Sequence, residues 1–430
     1  MRPLMGLAFM LLFQGPCCLS CAVSEDERPL VNYLLQKMIE STTLPGLPPN
    51  PSVLIALHFA QNHSQDTEQK LLKRLGQDAV DKVKTGQDFS SGKVALYALA
   101  FQASCSNPRK VSGTLDLVEL LEKKFEMELK NIKIHDSPLT SHYQLSLCVL
   151  TLCQLQGTFS PSEIADLFRP DEKKYSLGGS FSVDTAAVAV LAQICVQTTD
   201  TAALSPEVNQ TIAATVQWLL KKILEKKSQD GVIGNIYSTG LAMQALTVSD
   251  NYLTPGSWNC SQTLARVLRE IPEGTFDNSM AASQIVPSLE GQTYLDVSTI
   301  NCSQDENDLT LSTSLPTTPS STPPDLITVN YTVTDGVNNT FSDSIKISVP
   351  KGSVFLRVME AAQKDEPYKF SFIYEQQSWG VYITSVRGLN ADLTKHTYWE
   401  LLSGGKALPQ GAGDYVVKDG ESLMVKFTTY

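Results

Sequence analysis

Residues 184–195, DTAAVAVLAQIC, decide the fold. A short polar opening runs into an uncharged stretch rich in alanine. The same design returns at Asn50 (NPSVLIALHFA), Ser91 (SGKVALYALAF), Thr140 (TSHYQLSLCVLTLC), Ser238 (STGLAMQALTV) and Ala282 (ASQIVPSL). The starts are roughly 40 to 55 residues apart, the period of a repeated helix pair. Such a unit cannot bury its apolar face alone, so the units stack or close into a ring. A closed ring makes a bowl, with the polar openings aimed into it.

The stretches between the copies carry the second helix of each pair. LVNYLLQKMI (30–39), LVELLEKKF (117–125) and IAATVQWLLKKILEKK (212–227) place apolar residues three and four apart. They are more charged than the alanine-rich runs, so they form an outer layer around an inner one. This helical reading extends from about Asp26 to Asp296. Ser303–Asp325, SQDENDLTLSTSLPTTPSSTPPD, then breaks the pattern with serine, threonine and proline and supports no packed core. Beyond it the period becomes two. LITVNYTVTD, SDSIKISVP, WGVYITSVRG, TYWELLSGG and GESLMVKFTTY read as strands, and GSVFLRVMEAA as a strand leading into a short helix. The fold expected is mainly α with a small β-rich domain holding one helix. Its boundaries are a leader (1–20), a helical domain (21–302), a linker (303–326) and the β-rich domain (327–430).

The chain has 430 residues, 42% of them apolar and 18% charged, which suits two or three globular domains. Its net charge of −11 argues against a nucleic-acid surface. Arg2, the apolar run from Leu4 to Phe13, and small residues before Cys21 read as a secretory signal, too short for a membrane anchor. Cleavage at or just before Cys21 would leave Cys21, Cys105, Cys148, Cys153, Cys195, Cys260 and Cys302. In an oxidising compartment these pair with one left over, and spacing does not give the connectivity. Asn-x-Ser/Thr sequons agree with secretion. Glycosylation is expected at Asn62, Asn209, Asn330 and Asn338, whereas Asn259 and Asn301 each precede a cysteine. The 5 histidines are scattered along the sequence, so no metal site is expected.

Candidate functional residues are the polar openings of the ring. For Ser91, Asp184 and Ser238, helix capping is sufficient explanation. Capping accounts less well for Gln144, Gln284 and Asn235, whose amides on an apolar wall suit a large ligand bearing neutral amides. Trp379, between polar residues and Gly380, reads as an exposed hairpin tip able to cover a partner. No nucleophile elbow, phosphate-cradling glycine loop or His-Glu-x-x-His motif occurs. An α/α-ring glycosidase would need paired carboxylates, and Asp184 with the remote Glu400 is a poor pair. Cys148 lies in an apolar run with no base nearby. The chain therefore reads as no enzyme.

The segments FSVDTAAVAVLA, GVIGNIYSTGLAMQAL, QIVPSLEGQTYLDV, SWGVYITSV and TYWELLSGG strongly resemble the cobalamin transport proteins: intrinsic factor, transcobalamin and haptocorrin. LTSHYQLSLCVLTLC and YWELLSGGKALPQGAGDYVVKDGESL resemble the haptocorrin branch most. The resemblance implies an α6/α6 barrel and a β domain with cobalamin buried between them as cargo. It implies the disulfides Cys21–Cys260, Cys105–Cys302 and Cys153–Cys195, leaving Cys148 unpaired. It also implies ligand contacts from Thr140, Ser141, His142, Tyr143, Gln144, Asp184, Thr185, Asn235, Ser238 and Gln284. From the β domain it adds Trp379, Gly380, Trp399, Glu400 and Leu401. Neutral amides and hydroxyls suit the acetamides and propionamides of a corrin rim.

Three departures from the family matter. Phe181 stands where transcobalamin has a cobalt-ligating histidine, so no protein ligand to the metal is expected. Lys93 replaces a glutamine contact. His142 replaces a usual tyrosine and is the imidazole to check against cobalt. The function implied is a secreted, monomeric carrier of cobalamin and related corrinoids, tolerant of altered lower bases and recognised by a cell-surface receptor. The alternatives are the glycosidase, a protease-inhibitor or complement-like module with a solid ring, and an intrinsic-factor-like uptake protein.

Overall fold

A computed structural model describes residues 21–43, 48–86, 89–113, 115–177, 180–199, 204–300, 326–377, 380–392, 397–408, 411–413 and 415–429. Residues 1–20, Ser303–Asp325, Cys302 and Trp379 fall outside these residues.

The first part is helical. In chain order it comprises α1 (Arg28–Thr43), α2 (Pro51–Phe59), α3 (Gln65–Thr85), α4 (Ser91–Ala103), α5 (Leu117–His135) and α6 (His142–Gln154). It continues with α7 (Pro161–Leu167), α8 (Val183–Thr199), α9 (Pro206–Glu225), α10 (Thr239–Thr247), α11 (Cys260–Glu270) and α12 (Ser279–Leu289). The six repeats are the even-numbered helices. α2 packs on α4, α4 on α6, α6 on α8, α8 on α10, α10 on α12, and α12 back on α2. These helices are apolar nearly all round, as elements enclosed by other helices must be. In α8 the residues from Val183 to Val196 are buried without interruption. The odd-numbered helices are amphipathic. α9 buries Ile212, Thr215, Val216, Leu219, Leu220 and Ile223 and exposes its lysine-rich side. A short hairpin, β1 (Ser176–Leu177) with β2 (Ser180–Phe181), precedes α8.

The second part is β-rich. β3 (Leu326–Asp335), β4 (Ser342–Pro350), β8 (Thr397–Ser403), β9 (Lys406–Ala407) and β10 (Ser422–Thr429) form one sheet in the order β4-β3-β10-β8-β9. Only β3 and β10 run parallel. β5 (Phe372–Gln377), β6 (Gly380–Val386) and β7 (Leu389–Asn390) form a second sheet. Alternation explains the first sheet: in β3, Ile327, Val329, Tyr331 and Val333 are buried between outward polar residues. The expected strand at Gly352–Val354 is a single bridge, Val354 with Val416. Its apolar residues belong instead to α13 (Phe355–Asp365), where Phe355, Leu356, Val358, Met359 and Ala362 fit a helical face. A one-turn helix, α14 (Pro367–Phe370), follows, so this part has two helices where one was expected.

Cys21 is bonded to Cys260 and Cys153 to Cys195. Cys105 is also in a disulfide; its expected partner Cys302 lies outside the described residues. Cys148 is a free, buried thiol on α6. Among the described residues no helix is long and apolar enough to cross a membrane. Of the expected glycosylation sites, Asn209, Asn330 and Asn338 are exposed, and Asn62 is half-buried with its amide bonded to Asn32 at 2.7 Å.

Candidate functional site

The helical and β-rich parts share a cavity of about 1060 Å3, at the upper end of the range for small-molecule sites. One wall is built from the N-terminal ends of inner helices. Asn50, Ser90, Ser141 and Asn278 cap α2, α4, α6 and α12 by accepting from the backbone N–H groups of Ser52, Lys93, Gln144 and Met280. Just inside these caps, Gly92, Lys93, Tyr143, Gln144, Met280 and Gln284 line the cavity. The opposite wall comes from Gln363 of α13, Phe372–Tyr374 of β5 and Ser385 of β6, with Tyr368, 93% exposed, at the rim.

Gln144 is held by its oxygen, which accepts from the Gly92 N–H at 3.2 Å. The approach is possible only because residue 92 is glycine, since a Cβ there would sit 2.7 Å from Gln144 Cγ. Tyr143 beside it is buried, which pushes its phenol well above the usual range, so it stays protonated and able to donate. Tyr294, also on the wall, is pushed up to about 12 by burial.

Other polar openings are turned to one another. Glu128 of α5 is buried and accepts from Ser91 Oγ (2.6 Å), Thr140 Oγ1 (2.6 Å) and the Thr140 N–H (3.1 Å), tying together the starts of α4 and α6. Ser238 Oγ donates to Asp184 Oδ2 at 2.9 Å, tying α10 to α8. The expectation that Ser91, Asp184 and Ser238 cap their own helices therefore fails: all three make cross-links between repeats. Asn235, for which capping seemed insufficient, shapes the turn before α10 rather than capping it, its oxygen accepting from the N–H groups of Tyr237 (2.9 Å) and Ser238 (2.8 Å). Ser182 caps α8 through the Thr185 N–H, and its hydroxyl meets that of Thr185 at 2.9 Å.

Of the sequence candidates, Tyr143, Gln144 and Gln284 line the cavity; Thr140, Ser141, His142, Asp184, Thr185, Asn235 and Ser238 are not on its wall. Burial, helped by the Lys174 charge, lowers the His142 imidazole to about 4, so it is neutral at neutral pH. Phe181 lies edge-on to Trp218 of α9, its ring centroid 6.5 Å away. Lys93 stays on the wall. In the β-rich part the Trp399 indole is packed in the sheet, 4.9 Å from Phe427, with its N–H donated to Leu389 O. Glu400 accepts from Tyr398 Oη at 3.2 Å, and Leu401 O from the Leu408 N–H at 2.8 Å. β5 and β6 pair as far as Gln377 opposite Gly380; Trp379, between them, is outside the described residues. The β5 wall was missed in the sequence, although FIYEQQ just before Trp379 carries strand residues.

The seam beside the cavity is polar. Arg357 of α13 donates to Gly274 O at 2.6 Å and to Glu273 O. Gly274 has φ +74, a left-handed turn that favours glycine, and the turn presents these carbonyls. Asp277 accepts from Tyr33 Oη at 2.9 Å and faces Lys364 Nζ at 3.4 Å. Glu360 lies behind, 3.4 Å from Tyr237 Oη and 3.8 Å from Arg357. Burial raises its carboxyl to about 8 in spite of that arginine. Among the histidines, His58 and His63 are not scattered: with Glu68 they converge at the far end of α2, off the cavity wall.

A ring-like set of inner helices faces a small β-rich part across one large cavity with amides on its wall, a two-part architecture suited to enclosing a ligand. The comparisons give that architecture a family. Residues 3–322 match the model described as eukaryotic cobalamin-binding protein, and the chain belongs to that family. Residues 352–429 match a domain of unknown function, DUF4430. Transcobalamin-1 of Homo sapiens is 40% identical over 441 residues, covering 100% of this chain and 98% of the relative. Cobalamin binding intrinsic factor of Rattus norvegicus is 34% identical over 415 residues, covering 96% and 94%. A crystal structure of haptocorrin in complex with Cbi superposes with TM-score 0.68 at 39% identity, covering 95% of this chain and 99% of that one.

Proposed function

We propose that this chain is a secreted carrier that encloses cobalamin or a related corrinoid between an α6/α6 barrel (21–302) and a β-rich capping domain (327–430). Residues 303–326 join the two, and the protein performs no chemistry on its cargo. The observation carrying this reading is the shared cavity of about 1060 Å3, walled on one side by Gln144, Gln284 and Tyr143, in a chain of this family. Amide and phenol groups match a ligand rimmed by neutral amides, and helix N-termini favour its carbonyl oxygens. The closed cycle of packing from α2 through α12 supports the barrel. The Asp184–Ser238 and Thr140–Glu128 cross-links hold the openings in place for binding.

Cobalt takes no ligand from the protein in this reading. Phe181 faces Trp218, and His142 is off the cavity wall. Secretion is supported by the disulfides and the sequence of the leader. Adding cobalamin to the purified full chain should give a one-to-one complex that keeps the corrinoid absorption through gel filtration. A protein that elutes colourless overturns the proposal.

A further inference from the structure

His58, His63 and Glu68 come from three consecutive pieces of backbone: the last turn of α2, the loop after it, and the first turn of α3. Each offers a ligand atom, and these atoms all lie within 4.8 Å of one another. His58 Nδ1 is 3.7 Å from one Glu68 carboxylate oxygen, and His63 Nδ1 is 3.5 Å from the other. In a tetrahedral site with bonds near 2.05 Å, neighbouring ligand atoms are about 3.3 Å apart. Each imidazole is therefore within a few tenths of an ångström of that spacing from its own Glu68 oxygen, and no pair of ligand atoms in the set is more than 4.8 Å apart.

We propose that His58, His63 and Glu68 form a binding site for a divalent transition-metal ion, with zinc as the best match. Two imidazoles and one carboxylate are a donor set that zinc accepts, with water completing four-coordination. The site is partly built. Glu68 is 3% exposed, and its carboxylate also accepts from the Ser64 N–H at 3.1 Å, which fixes its orientation. The histidine side chains are 13% and 14% exposed, which leaves a path for an ion and room for water. None of the three residues lines the cavity between the two parts, which meets the opposite end of α2. The site is separate from the proposed corrinoid site and does not depend on it.

The test is calorimetric titration of the purified full chain with zinc chloride near neutral pH, beside the single variants His58→Ala and His63→Ala and the double variant. The expected result is saturable one-to-one uptake. Each single variant should lose at least the roughly 10–100-fold in affinity that even an outer-shell substitution costs, with corrinoid uptake unchanged. A circular dichroism spectrum and thermal unfolding transition matching the parent chain report that the variants are folded. Cobalt(II) titrated into the same protein should give the visible absorption of a four-coordinate ion. Absence of one-to-one zinc uptake by the parent chain, or zinc affinity unchanged in the folded double variant, overturns the proposal.

Discussion

Glu128 and Glu360 are both enclosed acids, one inside the helical frame and one at the seam with the β-rich part. Glu128 receives three short hydrogen bonds that join two repeats. Glu360 has a long contact with Tyr237, an arginine at 3.8 Å, and one oxygen, Oε1, with no hydrogen-bond partner. A carboxylate satisfied by donors fixes geometry, whereas one that is enclosed but under-satisfied holds its proton and leaves its contact responsive to pH. The frame acid is thus fully satisfied, and the seam acid is not.

Four substitutions test that contrast. Glu128→Ala leaves Ser91 and Thr140 without their buried acceptor. It should cost about 3–5 kcal/mol, read by denaturant unfolding; a loss below about 1 kcal/mol would erase the distinction between frame and seam. Arg357→Ala removes the donors to Gly274 and Glu273 and should leave the fold intact. Loss of charged hydrogen bonds worth about 2 kcal/mol should speed corrinoid release roughly thirtyfold, measured by displacement in stopped flow. Gly92→Ala pushes on Gln144 and should cost about 1–2 kcal/mol, expressed as weaker uptake with little change in the β-rich part.

The smallest effect belongs to Glu360→Gln. Burial in the folded chain raises this carboxyl from 4.5 to about 8, so between those values the folded form keeps a proton that the unfolded form gives up. The stabilisation linked to this group is therefore fully present below 4.5 and is lost as pH rises toward 8. The glutamine variant should flatten that slope in the free energy of denaturant unfolding measured across pH. An unchanged slope would assign the pH response to other groups.

The helical repeat could be read from the sequence because each copy is local: a polar opening and an apolar run leave a mark every few dozen residues. Gln144 and Gln284 stood out for the same reason, as amides where no cap is needed. The cross-links did not. Thr140 with Glu128 and Ser238 with Asp184 are pairs set by how repeats stack, and neither partner carries a local sign of the other. The seam was equally hidden, since Arg357 looks like any surface cation on an amphipathic helix until the turn at Gly274 is placed against it. His58 and His63 show the same limit. Five residues apart, they suggest no metal until α2, its loop and α3 fold Glu68 between them.

The Cys21–Cys260 bond joins the segment before α1 to the start of α11, 239 residues on. The covalent chain there is a closed loop rather than a thread with two ends. One peptide bond cut anywhere between those cysteines opens the loop without producing two separate molecules. Such a nicked protein would migrate as one species until a reductant was added. A carrier built this way can lose backbone continuity in an exposed loop and still retain every helix of the wall that holds its cargo.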